Sequence, residues 1–326
     1  MGFLLTDGLV LCSVATDNYI IPIRTFQNPL ETSVALKPNQ DNEFHGRSYS
    51  GQTGIAPDNK AIMNDISKSD TRPKFLKRPD GATIAYHAHP GKSPGVIFLG
   101  GFMSDMTGTK ATALEQACLE AGRAFVRFDY FGHGQSSGAF VDGTIGRWKE
   151  DAVAVLDACT EGPQILVGSS MGGWIMLLAA LDRKKRVAGL VGIAPAPDFT
   201  RALMWEGFDN NIRETLQRDG VYMEPSEYSE EPYTIALHLI EEGDNHMIME
   251  NGIDLDCPVR ILQGMQDPDV PWQHALKLVD ALKSDNVTLN LNKSGDHRLS
   301  EPDDIERLVT TVETLCQQVS GQDASE

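Results

Sequence analysis

From residue 73 onward, short apolar runs alternate with amphipathic segments, and this alternation restricts the possible folds more than any other feature. A wholly apolar strand is buried on both faces, which a parallel sheet covered by helices provides. The chain is therefore predicted to form an α/β domain over residues 73–326. The runs expected to become its strands are Val96–Leu99, Ala124–Phe128, Ile165–Val167, Val187–Ile193, Val259–Leu262 and Val287–Leu291.

The segments between these runs carry the helical pattern, in which apolar side chains recur at i, i+3, i+4 and i+7. Such stripes begin at Leu114, Ala152, Trp272 and Ile305. At the start of the domain, Lys74–Lys77 and Thr83–His87 flank the turn sequence Arg78-Pro79-Asp80-Gly81. That arrangement predicts an antiparallel hairpin before the first parallel strand.

Residues 1–72 differ in composition from the rest of the chain, because residues 31–72 hold few large apolar side chains. Such a segment cannot bury enough surface to offset its ordering entropy, so a mostly disordered extension is predicted. Residues 8–15 are apolar, but the first basic residue is Arg24, so no secretory signal is indicated. Residues 1–72 hold six basic and eight acidic residues, whereas a transit peptide is rich in arginine and poor in acidic residues. We expect a cytoplasmic protein, or a mitochondrial one in a eukaryote, and Met63 is a possible alternative start.

Charge and cysteine usage exclude several classes of function. The chain holds 28 basic and 46 acidic residues, a net charge of −18, which repels phosphate backbones and makes nucleic-acid binding unexpected. No stretch approaches the roughly 20 apolar residues of a membrane span, so stable membrane insertion is not expected. The five cysteines are scattered without a CxxC pair, which favours free thiols over disulfides or a zinc site.

Residues 196–256 interrupt the alternation between two predicted strands and are expected to form helices and loops. The segment contains 15 acidic residues, three arginines and no lysine, a net charge of −12. Because it follows the end of a strand at Ala194-Pro195, it should lie over the carboxyl edge of the sheet, where ligands bind in such folds. We predict that it is a lid.

Gly168-Ser169-Ser170-Met171-Gly172 matches the pattern G-x-S-x-G between a predicted strand and a predicted helix. In that context the sharp turn holds the serine hydroxyl exposed, and the helix amino terminus favours developing negative charge. Ser170 is therefore the predicted nucleophile. The alternative interpretation is an ordinary strand–helix junction with a structural serine.

A serine nucleophile needs a base and an orienting acid, which in this arrangement follow the serine in the order acid, base. Asp267 follows the strand Val259–Leu262, and His297 follows Val287–Leu291, so both belong to the same sheet edge as Ser170. Asp269 is the main rival acid, with a turn or capping role before Pro271 as its alternative. Among the eight histidines, the others are expected to be surface or packing residues, and Asp296 a turn residue.

Two backbone N–H groups are required to stabilise the oxyanion of an acyl-transfer reaction. Met171 follows the nucleophile, and Phe102 lies in the glycine-containing loop after Val96–Leu99. These two residues are the predicted donors. The segment Asp129–Ser136 follows another strand and is interpreted as a structural turn, since no phosphate-binding lysine follows it.

Four motifs together resemble the α/β-hydrolases: Gly100–Lys110, Phe128–Gly134, Gly168–Trp174 and Gly295–Ser300. Within that superfamily they are similar to a branch of mitochondrial palmitoyl-protein thioesterases and acyl-glucuronide esterases with bacterial relatives. The resemblance implies a mostly parallel eight-stranded sheet with a small helical lid. It also implies a triad at Ser170, Asp267 and His297, and hydrolysis of esters or thioesters with neither cofactor nor metal.

The aromatic and methionine side chains of the predicted lid are expected either to line an apolar acyl pocket or to pack the core of the lid itself. Met103 and Trp205 are the expected substrate contacts. The expected substrate is a small-molecule ester or an acylated protein. The lid charge disfavours polyanionic substrates such as acyl-CoA by repulsion. It also disfavours anionic glucuronides, unless an arginine such as Arg201 or Arg298 offsets it. A serine peptidase and a non-catalytic ligand-binding protein of the same fold remain as alternatives, whereas a dehalogenase would carry aspartate in place of Ser170.

Overall fold

The computed structural model describes residues 72–224 and 232–323. Apart from Arg72, the predicted extension 1–72 lies outside the described residues, as does the segment 225–231 within the predicted lid. The boundaries proposed for the extension therefore stay a prediction.

Eight strands form one sheet, whose spatial order is β1 Lys74–Lys77, β2 Thr83–His89, β4 Arg123–Phe128, β3 Lys92–Leu99, β5 Gln164–Ser169, β6 Val187–Ile193, β9 Val259–Gly264 and β10 Val287–Asn292. The first two strands are antiparallel to their neighbours, and the other pairs are parallel, so the predicted mostly parallel sheet and its hairpin are confirmed. Each predicted apolar run lies in a strand.

Helices cover both faces of the sheet, as its apolar strands require. They are α1 Thr109–Glu120, α2 Ile145–Cys159, α3 Met171–Asp182, α6 Trp272–Ala281 and α7 Pro302–Asp323, whereas α4 Asn210–Asp219 and α5 Leu237–Gly243 belong to the insertion between β6 and β9. One core packs α1 and α7 on strand residues such as Val96. The other packs α2, α3 and α6 on strand residues such as Ile97, with Trp148 and Trp174 fully buried. Because Val96 and Ile97 are consecutive, their side chains serve opposite faces.

The insertion between β6 and β9 is more varied than the sequence indicates. It contains a π-helical turn at Thr200–Trp205, the helices α4 and α5, and an antiparallel hairpin of β7 Val221–Glu224 and β8 Tyr233–Ala236. The expectation of helices and loops alone was wrong on this hairpin. Its strands have four residues each, too few to show the alternation that identifies a strand.

A buried carboxylate ties the two ends of this insertion together. Asp198, 2% exposed, follows β6 at a positive φ of 58° and accepts hydrogen bonds from the backbone N–H groups of Ile248 and Met249, both at 3.0 Å. Burial raises the pKa of Asp198, and the two N–H donors oppose that shift. The insertion is therefore closed at its base by a polar contact inside the protein.

Two further features bear on the expectations from composition. None of the helices in the described ranges is long and apolar enough to cross a membrane. Cys118 and Cys316 are buried free thiols, and Cys159 and Cys257 are half-buried and free. Burial raises the pKa of Cys118 to about 12, so this thiol stays protonated at neutral pH.

Candidate active site

Ser170 lies on a strained turn between β5 and α3. Its backbone adopts φ 54° and ψ −119°, a conformation that non-glycine residues avoid. Two glycines permit this turn: a Cβ on Gly168 would lie 2.3 Å from the carbonyl oxygen of Gly172, and one on Gly172 would lie 2.2 Å from that of Leu99. The G-x-S-x-G spacing is thus required by close backbone packing around the serine.

His297 and Asp267 reach Ser170 from the loops after β10 and β9. The Nε2 atom of His297 lies 3.1 Å from Ser170 Oγ, and its Nδ1 atom lies 2.9 Å from Asp267 Oδ2. At these distances the hydroxyl, the imidazole and the carboxylate form a continuous chain of hydrogen bonds. The arrangement can remove the hydroxyl proton when the serine attacks an acyl carbon.

The carboxylate of Asp267 is held firmly, because its side chain has no exposed surface and both oxygens accept hydrogen bonds. Oδ1 accepts from the backbone N–H groups of Asp269 and Val270, and Oδ2 accepts from Gln263 Nε2 as well as from His297. Asp269 thus supports Asp267 through its backbone. Asp296 accepts from the N–H of Leu299 at 2.9 Å, which is a turn contact.

Four other histidines of the described region lie in structural contacts. His89 pairs with Glu115 at 2.9 Å, His246 with Glu242 at 2.7 Å, and His274 with the carbonyl of Pro197 at 2.8 Å. His133 is buried among Tyr130, Phe140 and Trp148. Burial lowers the pKa of His133 to about 4, so its ring is neutral at pH 7. His45 lies outside the described residues.

The predicted oxyanion donors flank Ser170. Met171 is the first residue of α3, where the N–H has no partner within the helix. Among residues 72–224 and 232–323, the N–H of Phe102 donates to no acceptor. Asp129, 1% exposed, accepts from the N–H groups of Met106 and Gln135, and so fixes the loop of Phe102 to the turn Asp129–Ser136. This gives the turn the structural role expected from the sequence.

A cavity of about 330 Å³ opens on one side of Ser170, and we call it the polar cavity for the charged and hydroxyl side chains in its wall. Its wall includes the cations Lys110 and Arg298, the carboxylate of Asp105 and the hydroxyl of Ser300. Two cations thus face one carboxylate in this wall, in contrast to the net charge of −18 for the whole chain. This side of the site can therefore accept polar or anionic groups of a ligand.

A second, larger cavity of about 490 Å³ lies on the side of the insertion. It shares Phe102, Ser170, Tyr233 and His297 with the polar cavity. Its remaining wall is mainly apolar and includes Phe199, Leu203, Met204, Phe208, Ile235 and Val270, with Asp269 and Glu224 as its acids. The two cavities meet at the nucleophile, so a bound ester can place one part in each.

The expected substrate contacts have different positions. Met103 lines the polar cavity with 42% of its surface exposed and a φ of 55°. Trp205 lines neither cavity, and its ring instead contacts the guanidinium groups of Arg201 and Arg213. Its role as a substrate contact stays a prediction. Arg201 also pairs with Asp244, so its charge is already balanced within the insertion.

Sequence reasoning did not assign Lys110 a role, although it lies in one of the motifs that carry the family resemblance. Nothing local marks it, because its contact with the carbonyl of Arg298 joins residues far apart in the chain. The apolar wall was foreseen only as a general property of the insertion. The side chains that face the nucleophile are set by the path of that insertion, which the sequence pattern does not give.

Asp267, Asp269 and His297 place one potential metal-ligand atom each within 4.8 Å of one another. Among the described residues they are the one group with this property. Both Asp267 oxygens already accept N–H donors, and His297 Nδ1 points to one of them. The donor set therefore fits a hydrogen-bonded acid–base pair better than a metal site.

Comparisons with known proteins agree with this geometry. Residues 94–221 match the family model of the alpha/beta hydrolase fold. Palmitoyl-protein thioesterase ABHD10, mitochondrial, from Bos taurus is 42% identical over 247 residues, which cover 76% of this chain and 80% of that protein. At this identity and coverage, the chain belongs to the α/β-hydrolase family.

Two solved structures extend the similarity beyond the sequence. Alpha/beta hydrolase domain-containing protein 10 from mouse has a TM-score of 0.71 and 40% identity, covering 76% of this chain and 99% of that one. A protein from Agrobacterium vitis S4 has a TM-score of 0.72 and 46% identity, covering 75% and 98%. The predicted resemblance to this branch, including its bacterial relatives, is thereby confirmed.

Proposed function

We propose that this chain is a serine hydrolase that cleaves carboxylic esters and thioesters through an acyl-enzyme. The observation that carries the proposal is the hydrogen-bond chain from Ser170 through His297 to Asp267, with separations of 3.1 and 2.9 Å. It joins a strained, half-buried nucleophile to a base that a buried carboxylate orients.

The reaction proceeds by acyl transfer in two steps. His297 Nε2 removes the hydroxyl proton of Ser170 as Oγ attacks the acyl carbon, and the N–H groups of Phe102 and Met171 donate to the resulting oxyanion. Asp267 keeps the Nδ1 proton of the imidazole in place and stabilises the imidazolium. The imidazolium then protonates the departing thiol or alcohol, and water releases the acyl group by the same route.

The two cavities divide the substrate between them. The apolar cavity beneath residues 196–256, which we assign as the lid, receives the acyl chain, because each buried CH₂ is worth about 0.8 kcal/mol. The polar cavity receives the leaving group. The relative from Bos taurus that is 42% identical to this chain is named a palmitoyl-protein thioesterase. We therefore propose long-chain acyl thioesters of proteins as the preferred substrates.

A second candidate activity is hydrolysis of acyl glucuronides. Lys110 and Arg298 in the wall of the polar cavity favour it, because the glucuronate leaving group carries one carboxylate. Turnover of matched esters with neutral and with singly anionic alcohols, measured across ionic strength, distinguishes the two. If the anionic ester is turned over faster and this advantage falls as salt is added, the glucuronide activity is supported. Equal rates that do not depend on salt contradict it.

The proposed function is tested with Ser170→Ala. We expect this variant to lose p-nitrophenyl ester hydrolysis by several orders of magnitude while its unfolding temperature stays within a few degrees of the parent. Undiminished turnover would refute the assignment of the nucleophile. Cleavage of peptides at rates comparable with those of esters would instead favour the serine peptidase. A protein that turns over neither esters, thioesters nor peptides would favour the ligand-binding alternative.

The cellular location stays a prediction. The names of the relatives place those proteins in mitochondria. Imaging of the full chain fused to a fluorescent protein in its own host would separate a mitochondrial from a cytoplasmic location.

A further inference from the structure

The loop that carries His297 is held by a side chain from a distant helix. The carbonyl oxygen of Arg298, the next residue, accepts a hydrogen bond from Lys110 Nζ at 2.5 Å and another from Ser300 Oγ at 3.0 Å. Lys110 is the second residue of α1 and lines the polar cavity beside Ser170. A direct link therefore joins this helix to the backbone that follows the base.

The helix on which Lys110 sits is a rigid support. Its buried residues Ala111, Leu114 and Cys118 belong to the same core cluster as Leu299. Leu299 itself is only 4% exposed and adopts a positive φ of 45°. The loop after His297 is thus anchored twice, by the buried side chain of Leu299 and by the contact with Lys110. Both anchors connect the loop to the core cluster that contains α1.

The helix also follows directly on the loop that supplies one oxyanion donor. Nine residues, 100–108, connect β3 to α1, and Phe102 lies among them. The Lys110 contact therefore couples the segment of the oxyanion donor to the segment of the base.

The charge of Lys110 suits this contact. Burial lowers its pKa to about 8, while Asp296 and Asp304 favour the charged form and Arg298 opposes it. Near pH 7 the group is therefore mostly an ammonium, whose hydrogen bond to a carbonyl is charge-assisted. A lysine placed here at a cost in desolvation points to a role in the site rather than to surface solubility.

We propose that Lys110 is a positioning residue that holds His297 in register with Ser170 by fixing the carbonyl of Arg298. The proposal rests on the proposed function, because it assumes that His297 is the base. Lys110 needs no contact with the reacting atoms. Small displacements of a catalytic group cost up to about a hundredfold in rate, so the loss of this contact acts on turnover.

The test compares Lys110→Met, which removes the donor, with Lys110→Arg, which keeps one. The matched control is Lys149→Met, whose amine bonds Asp182 at 3.0 Å between α2 and α3. A neutral substrate, p-nitrophenyl acetate, is used so that recognition of an anion plays no part. For each variant, kcat, KM and the unfolding temperature are measured.

We expect Lys110→Met to lower kcat by about ten- to a hundredfold with KM changed by less than about twofold. Lys110→Arg should recover at least about half of the parental kcat, and Lys149→Met should match the parent. If Lys110→Met does not fold, Lys110→Gln replaces it, because the shorter amide cannot reach the carbonyl of Arg298. The same loss of kcat is then expected.

An unchanged kcat in the folded donor-free variant would overturn the inference. So would normal kinetics on the neutral ester combined with a raised KM for an anionic one, which would make Lys110 a binding group. A loss that Lys110→Arg fails to recover would also contradict it. These results leave the proposed function standing, whereas retained turnover in Ser170→Ala overturns the function itself.

Discussion

The carboxyl edge of the sheet and the insertion that covers it are built in different ways. At the edge, the carboxylate of Asp267 has no exposed surface and four N–H donors fix its orientation. In the insertion, charged groups pair near the surface, as in Arg218 with Asp219, and Val221 and Met223 of β7 are 38% and 51% exposed. A preorganised edge supplies the chemistry, and an insertion with weaker constraints shapes the substrate pocket.

This comparison predicts that substitutions at the edge abolish turnover of every ester. In His297→Gln the general base is lost, so kcat for short and long esters should fall by about a thousandfold or more. The control is His238→Gln, because His238 is an exposed residue of the insertion. Steady-state kinetics on both esters check the result, and a loss confined to the long ester would break the comparison.

Two neighbouring carboxylates at the edge, those of Asp267 and Asp269, are expected to differ in their effect on turnover. Asp267→Asn should lower kcat by about a thousandfold, because the amide cannot stabilise the imidazolium. Asp269→Asn should lower kcat by less than about tenfold, since Asp269 supports Asp267 through its backbone N–H, which the variant keeps. Equal losses in the two variants would mean that the pair acts as one acid.

The insertion should instead alter selectivity for the acyl chain. Met204→Gln keeps the size of a side chain in the apolar wall but makes it polar, so hydrolysis of p-nitrophenyl octanoate should fall by about tenfold. Hydrolysis of the acetate should change by less than about twofold. Met223→Gln is the matched control, since Met223 is exposed on β7. Parallel losses on both esters would show that the insertion also positions the triad.

The smallest expected effect concerns stability and the buried ring of His133. The pKa of His133 is lowered by burial from 6.5 to about 4, so between these values the unfolded chain binds more protons than the folded one. The free energy of unfolding therefore falls as the pH falls through this window, by up to about 1.4 kcal/mol per pH unit.

Replacing the ring tests this origin of acid sensitivity. His133→Phe keeps the ring contacts without the titrating group, and Trp148 Nε1 still donates to the carbonyl of Phe131. Urea unfolding at pH 7 and pH 4.5 should show a shallower acid loss in this variant than in His238→Gln. An equal acid loss in both variants would assign the effect to other groups.

The sequence predicted the edge well and the insertion poorly, for a physical reason. Apolar runs such as Val96–Leu99 and the G-x-S-x-G turn are local patterns with one structural solution. The hairpin β7–β8 and the wall of Leu203 and Met204 depend on packing between segments that carry no periodic signal. The Lys110 contact with Arg298 joins residues far apart in the chain, which no local pattern reveals.

The central claim is that the hydroxyl of Ser170 becomes a nucleophile through His297, and active-site labelling tests it most directly. A fluorophosphonate probe is incubated with the parent protein, with Ser170→Ala and with His297→Gln, and the modified residue is identified by mass spectrometry. We predict one phosphonate per chain on Ser170, no label in Ser170→Ala and a strongly slowed reaction in His297→Gln. An absence of label on Ser170 in a protein that still hydrolyses esters would contradict the claim.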